Sequence, residues 1–387
     1  MRNVILTLTL IATLAVLPNL SFGQGYILVN HDNPNGNSAT AFKVTATGTI
    51  ALSKSLNTGG TGLSQGLFSL PGIAIESNAH CLFVADPGSN DIAVFQGPNF
   101  KRITPNFTNS QLNAGLFGIG LAVDPAGKFL YSAWLGSNNI GVLAIASDCS
   151  LSLVGSPTSQ PDTVADLAVA HNGQVLVVSY PNLGGAQAYT ASSKGVLTAL
   201  GPPLIFADAI AQCSNTACFP SGLDGTDDGQ YWIWGNTTAT GASTLSATLT
   251  PKGFTKAALE SYSSSTVTNV ETVWLSPAAA KGDAGNLYLA ASGFGQGYPA
   301  GIVVANFSKG TITFDNSVVN ASAFVAGSVQ TIGITGTGSP LVQIATDISG
   351  NNTLYSYTVN RTTLTPANSL KVSGGAAYTI SAYPKRP

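Results

Sequence analysis

Short apolar runs alternate with turns rich in Gly, Ser, Asn and Asp along nearly the whole chain. The stretch Cys81–Phe95, CLFVADPGSNDIAVF, returns forty-eight positions later as Phe129–Leu143, FLYSAWLGSNNIGVL. Leu82, Gly88, Ser89, Asn90, Ile92 and Val94 recur as Leu130, Gly136, Ser137, Asn138, Ile140 and Val142. Apolar runs bounded by such turn residues predict strands. Self-similarity at a fixed spacing predicts a repeat architecture. Gly tolerates positive φ and Asn can cap a bend with its own side chain, so Asp86, Asn90 and Asp91 read as turn residues.

The repeating unit has four parts. A first strand ends at a turn: GIAIESN from Gly72, GLAVDPAG from Gly120 and DLAVAHNG from Asp166, with weaker copies GLDGTDDG from Gly222, ETVWLSP from Glu271 and TIGITGTG from Thr331. A second strand is apolar and aromatic: CLFVAD, FLYSAW, VLVVSY, YWIWGN, LYLAAS and LVQIAT. A third follows, as in DIAVF and NIGVLAI, and most units close with a turn and an alternating strand such as KGTITF. Near-continuous apolar inner strands suit sheets covered on both faces, and an alternating fourth strand suits one wet side. Four strands every ~45–60 residues describe the blade of a β-propeller.

The expected fold is therefore all-β, a seven-bladed propeller of four-stranded antiparallel blades. The number comes from the two ends of the chain. YILVN, ATAFKV and TGTIALS supply a second, third and fourth strand with no first, and AAYTISAYP, Ala376–Pro384, supplies the missing one. Six whole units and this split one make seven, with the C-terminal strand completing the N-terminal blade.

The Leu82–Asp86 and Gly88–Phe95 pattern, LFVAD then GSNDIAVF, resembles the YVTN-type repeat of the lactonase-like seven-bladed propellers. That group is similar to the 6-phosphogluconolactonase propeller and to the carboxymuconate-cyclising propeller. The resemblance spans nearly all of the chain beyond its leader. It implies a site over the central channel, and in the cyclising relatives an Arg, His and Glu set. Glu271 and His31 are the positions that match, and no Arg obviously joins them.

Composition narrows the function. The chain is 44% hydrophobic and 8% charged, too apolar for disorder. A net charge of −2 creates no field to gather DNA, RNA or anionic lipid, so no nucleic-acid partner is expected. Residues 1–23 carry one Arg, an apolar run from Val4 to Leu17, Pro18, and small residues Ser21 and Gly23 before Gln24: a cleavable export signal. No later segment reaches membrane-spanning length. Residues 24–387 then form a single propeller, secreted or periplasmic. In an exported chain Cys213 and Cys218 are expected to pair. Cys81 and Cys149 are either a second pair or, for Cys81 at the head of an apolar run, a buried apolar thiol. CxxC pairs with nearby His, the pattern of zinc sites, are absent from the sequence.

Loop length picks the face where chemistry would sit. Turns between first and second strands are short, whereas connections on the other face include KSLNTGGTGLSQGLFSLP and PPLIFADAIAQCSNTACFPS. Insertions of repeat proteins collect on the binding face. Asp166 and Glu271 replace the glycines that open neighbouring first strands, and Asp224 stands where Ala74, Ala122 and Ala168 stand elsewhere. Three successive blades thus aim acids at the channel mouth, either as a hard-cation site or acid/base pair, or as bend caps and solvated groups. His31 falls on the same face as a candidate base or ligand. A phosphosugar site needs clustered cations, and beyond the leader the chain holds only Arg102, Arg361 and Arg386.

Two functions follow as expectations. One is a binding or scaffold propeller, needing no cofactor, whose long-loop face takes a small neutral ligand, a glycan or a surface protein through loop aromatics such as Phe68, Phe117, Phe219 and Tyr298. The alternative is a lactone or ester hydrolase using the channel-mouth acids, with or without a divalent cation.

Overall fold

The computed structural model describes residues 24–383 apart from 46, 65–71, 77–78, 116–117, 171, 216–217, 237–242, 262–268, 276–284, 293–299, 325, 333–340, 348–352, 361–362 and 374–378. The expected export signal at 1–23 lies outside the described residues, as do Phe68, Phe117 and Tyr298.

The described strands form seven antiparallel sheets. Sheet I holds Gln24–Asn30, Ser38–Thr45 and Ile50–Asn57, and its remaining strand, Thr379–Tyr383, comes from the other end of the chain. Sheet II runs Ile73–Ile75, Cys81–Asp86, Asp91–Gln96, Lys101–Phe107. Sheet III runs Ile119–Val123, Phe129–Trp134, Asn139–Ile145, Leu151–Leu153, and sheet IV Asp166–Val169, Val175–Tyr180, Gly185–Ala191, Leu197–Ala199. Sheet V runs Pro220–Gly225, Tyr231–Asn236, Ser243–Thr250, Gly253–Ser261. Sheet VI runs Asn269–Leu275, Gly285–Ser292, Ala300–Ser308, Thr311–Phe324, and sheet VII Ala326–Ile332, Leu341–Asp347, Thr353–Asn360, Thr363–Lys371. The last sheet therefore opens at Ala326, earlier than the sequence match from Thr331 suggests.

Thr379–Tyr383 pairs antiparallel with the strand Gln24–Asn30, from Tyr26 opposite Tyr383 to Asn30 opposite Thr379. Each first strand also touches the first strands of the sheets beside it, in the order II to VII, and Thr379–Tyr383 touches both Ala326–Ile332 and Ile73–Ile75.

The apolar runs form the interior. Every residue of Cys81–Asp86 and of Ile119–Val123 is buried, while the outer strand Lys101–Phe107 has none fully buried. Apolar cores lie between neighbouring sheets. Phe83, Leu130 and Trp134 fill the space between II and III, Trp232, Trp234 and Phe206 that between IV and V, and Ile27, Leu354 and Ile380 that between I and VII. In sheets III and IV the outer strand breaks into two pieces. Thr158–Ser159 and Leu204–Ile205 resume pairing with Asn139–Ile145 and Gly185–Ala191 after interruptions holding Gly155 and Pro157, and Gly201, Pro202 and Pro203. Proline cannot donate to a ladder, which accounts for the breaks.

The repeated Gly-Ser-Asn turn behaves differently from its sequence reading. Asn90 and Asn138 take the left-handed conformation, φ 61° and 48°. The Asn90 side chain, however, reaches the following connection instead of capping its own bend: its amide donates to Leu112 O at 3.0 Å and its oxygen accepts Ala114 N–H at 2.7 Å.

Both cysteine pairs are disulfides. Cys213–Cys218 closes the two short helical turns Phe206–Ala209 and Ala211–Asn215, and Cys81–Cys149 joins sheets II and III. Disulfides persist in oxidising compartments, so the pair of them points to an exported protein. Among the described residues no helix is long and apolar enough to cross a membrane.

Candidate functional site

Asp166 opens the first strand of sheet IV opposite Ser179. It is 7% exposed, and its carboxylate is fully engaged. Oδ1 accepts the N–H of Leu167 at 2.7 Å, and Oδ2 accepts the N–H of Leu223, on the first strand of sheet V, at 2.8 Å. Burial pushes its pKa up to about 8; the two N–H donors pull it down, and the neighbouring Asp224 charge raises it further. The acid is thus a clasp between two first strands.

Asp224 pairs with Ile233, the register position that Ala74, Ala122 and Ala168 hold opposite Phe83, Tyr131 and Val177. It is half-buried, and its Oδ1 accepts the N–H of Gly225 at 2.9 Å. Asp166 and Asp224 interact electrostatically, so the structure brings these two acids together. Glu271 lies in Asn269–Leu275, where only strand placement is described. There Val270 pairs with Ala291 and Thr272 with Ala290, which makes Glu271 the extra residue of a bulge. The place equivalent to Asp166 belongs to Val270.

His31 follows the strand Gln24–Asn30 and is buried, at 1% exposure. Its Nε2 lies 2.7 Å from Thr40 Oγ1 within sheet I. Arg102 is half-buried, and its Nη2 donates to Asn106 Oδ1 at 2.9 Å.

One polar cluster escapes a sequence reading. Asp86, which reads as a turn residue, is fully buried between sheets I and II. Asn37 Nδ2 donates to its Oδ1 at 2.7 Å, and Asn106 Nδ2 reaches its Oδ2 at 3.4 Å and also Asp91 Oδ1. Burial raises its pKa to about 8, against the lowering effect of Asn37 and Thr58, and Asp91 adds to the rise. The segment Thr58–Gly62 passes over this carboxyl so closely that a Cβ on Gly60 would stand 2.4 Å from Asp86 Oδ2. Apart from Asp91, the partners are twenty or more residues away in sequence, and the run TGGTG is the signal they leave. Its geometry is that of a satisfied structural network.

Among the described residues, His80, Cys81 and Cys149 have the spacing of a metal site, but the two sulfurs are bonded to each other. A disulfide sulfur is not the thiolate that metals take.

No protein-family model matches the chain, and no curated protein matches it. Solved structures do. A candidate 6-phosphogluconolactonase from Bacteroides uniformis aligns with a TM-score of 0.67 at 12% identity, over 93% of this chain and 99% of its own. A protein from Lactobacillus plantarum aligns with a TM-score of 0.66 at 16% identity, over 93% and 99%. The periplasmic gluconolactonase of Pseudomonas aeruginosa aligns with a TM-score of 0.63 at 12% identity, over 92% and 99%. The chain has the lactonase-like β-propeller fold.

Proposed function

We propose that the seven sheets are blades of one closed seven-bladed propeller, exported by the signal at 1–23, whose long-loop face binds a surface protein, a peptide or a neutral glycan. Closure is supported by the pairing of Thr379–Tyr383 with Gln24–Asn30 and by the shared core of sheets I and VII. Export is supported by the two disulfides.

One observation carries the binding reading. Leu183 and Phe219 stand 42% and 40% exposed on that face. Their loops abut: Phe206 N–H donates to Gly184 O at 2.9 Å, and a Cβ on Gly184 would lie 2.8 Å from Cys218 O. Adjoining exposed apolar side chains on a disulfide-pinned loop suit an interaction surface. Of the acids nearby, Asp166 is engaged in joining two first strands, and this reading calls for no cofactor.

A second reading, lactone or ester hydrolysis, is favoured by Asp166, whose pKa of about 8 beside Asp224 would suit a general acid. Asp166, Asp224 and Glu271 are also the residues that would receive a divalent cation, although both oxygens of Asp166 already accept N–H bonds.

The readings are separated by lactone turnover and by thermal shifts with Ca²⁺, Mg²⁺ and Mn²⁺, comparing the native chain with Asp166→Asn, Asp224→Asn, Glu271→Gln. Turnover or a metal-dependent shift lost in the triple variant supports the hydrolase. Absence of both, with glycan-array or peptide-array binding abolished by Leu183→Glu with Phe219→Ser, supports the binding propeller.

A further inference from the structure

At the strand ends opposite the long loops, a cleft of about 390 Å³ opens between sheets III and IV. This volume lies within the range of small-molecule pockets. Asp124, Lys128, Phe129 and Tyr131 line one side, and Asn172 and Ser193 line the other.

Two of these groups are built in and left available. Tyr131 is 1% exposed, yet its hydroxyl makes no hydrogen bond to any described residue. The oxygen is not enclosed: it opens on the cleft, where a ligand hydroxyl can take the place of its hydration. Asp124, 7% exposed, commits only Oδ1, which accepts the N–H groups of Lys128 and Phe129 at 2.6 and 2.7 Å. Its Oδ2 accepts none among the described residues. Burial and the Asp124 charge both raise the Tyr131 pKa, so the phenol keeps its proton and can donate.

The remaining chemistry selects the ligand. Asn172 is held in place, Nδ2 donating to Asp228 O at 3.0 Å and Oδ1 accepting Gln174 N–H at 3.0 Å, which fixes it as part of the wall. Among the described residues that line the cleft, one anion, Asp124, is balanced by one cation, the exposed Lys128, which favours an uncharged ligand. A carboxylate oxygen and a phenol take hydroxyl groups, and the partly exposed Phe129 ring offers an apolar face. We propose that the cleft between sheets III and IV binds a monosaccharide unit, its hydroxyls on Asp124 and Tyr131 and its C–H face on Phe129. This site is on the face opposite Leu183 and Phe219 and stands independently of the function proposed there.

The test is saturation-transfer NMR with methyl α-D-glucopyranoside, methyl β-D-galactopyranoside and N-acetyl-D-glucosamine. The native chain is compared with Tyr131→Phe, which keeps the ring packing, and Ser193→Trp, which fills the cleft from an exposed turn. At least one sugar is expected to saturate with a Kd of about millimolar order. Tyr131→Phe should weaken it about tenfold, and Ser193→Trp should remove it, both at an unchanged melting temperature. Weakening in either variant upholds the site. Failure of all three sugars to saturate the native chain overturns it, and so does binding unchanged in both variants.

Discussion

Asp166 on sheet IV accepts the backbone N–H of Leu223 on sheet V at 2.8 Å, so a carboxyl group fastens the first strands of two neighbouring sheets. Asp86 does similar work between sheets I and II through Asn37. Both acids are raised from 3.8 to about 8 by burial.

The sign of the pH dependence follows. Between the unfolded and folded pKa values the native chain holds protons that the unfolded chain has released, so stability falls as pH rises through that window. It is fully present below about pH 4 and the loss is complete above about pH 8, as far as these two groups contribute. Urea midpoints measured across the window should decline, and Asp86→Asn with Asp166→Asn should flatten the slope.

The glycine over Asp86 is sterically fixed. Gly60→Ala would push a methyl against the carboxyl and against Ser89 Oγ, 2.5 Å from the new Cβ. A loss of roughly 1–3 kcal/mol is expected, as for overpacking elsewhere, and chemical denaturation would measure it.

Removing Cys81–Cys149 should cost more than removing Cys213–Cys218, because the first closes a separation of 68 residues and the second one of 5. Loop-closure entropy gives about 4 against about 2 kcal/mol. Paired Cys→Ser variants compared by calorimetry would expose any reversal of that order.

Ending the chain before Thr379 strips sheet I of its partner strand and uncovers Ile27, Leu28 and Val29, all of which are 0% exposed. Such a chain is expected to lose its cooperative melting transition. Circular dichroism on heating would reveal a surviving transition if sheet I tolerates the loss.

Much of the fold was legible because each strand type has a local signature. The second strands Cys81–Asp86, Phe129–Trp134 and Val175–Tyr180 begin and end within the apolar runs that announce them. The N-terminal shortage of one strand is equally visible, since YILVN matches a second strand. Register within a strand is less legible. A single bulged residue displaces Glu271 from the place its alignment with Asp166 implies, and periodicity cannot see a bulge. In the weakest repeat the match from Thr331 falls two residues past Val329, which holds the place of Asp166, for the same want of a strong local cue. Of the candidate acids, the proximity of Asp166 and Asp224 could be read from equivalent blade positions. Their engagement with backbone N–H groups could not, because it depends on how adjacent sheets pack.

The composite nature of sheet I also orders events in time. Gln24–Asn30 leaves the ribosome well before its neighbour Thr379–Tyr383, which lies beyond six other sheets along the chain. The opening strand must therefore wait, with one edge unsatisfied, until translation has passed Tyr383.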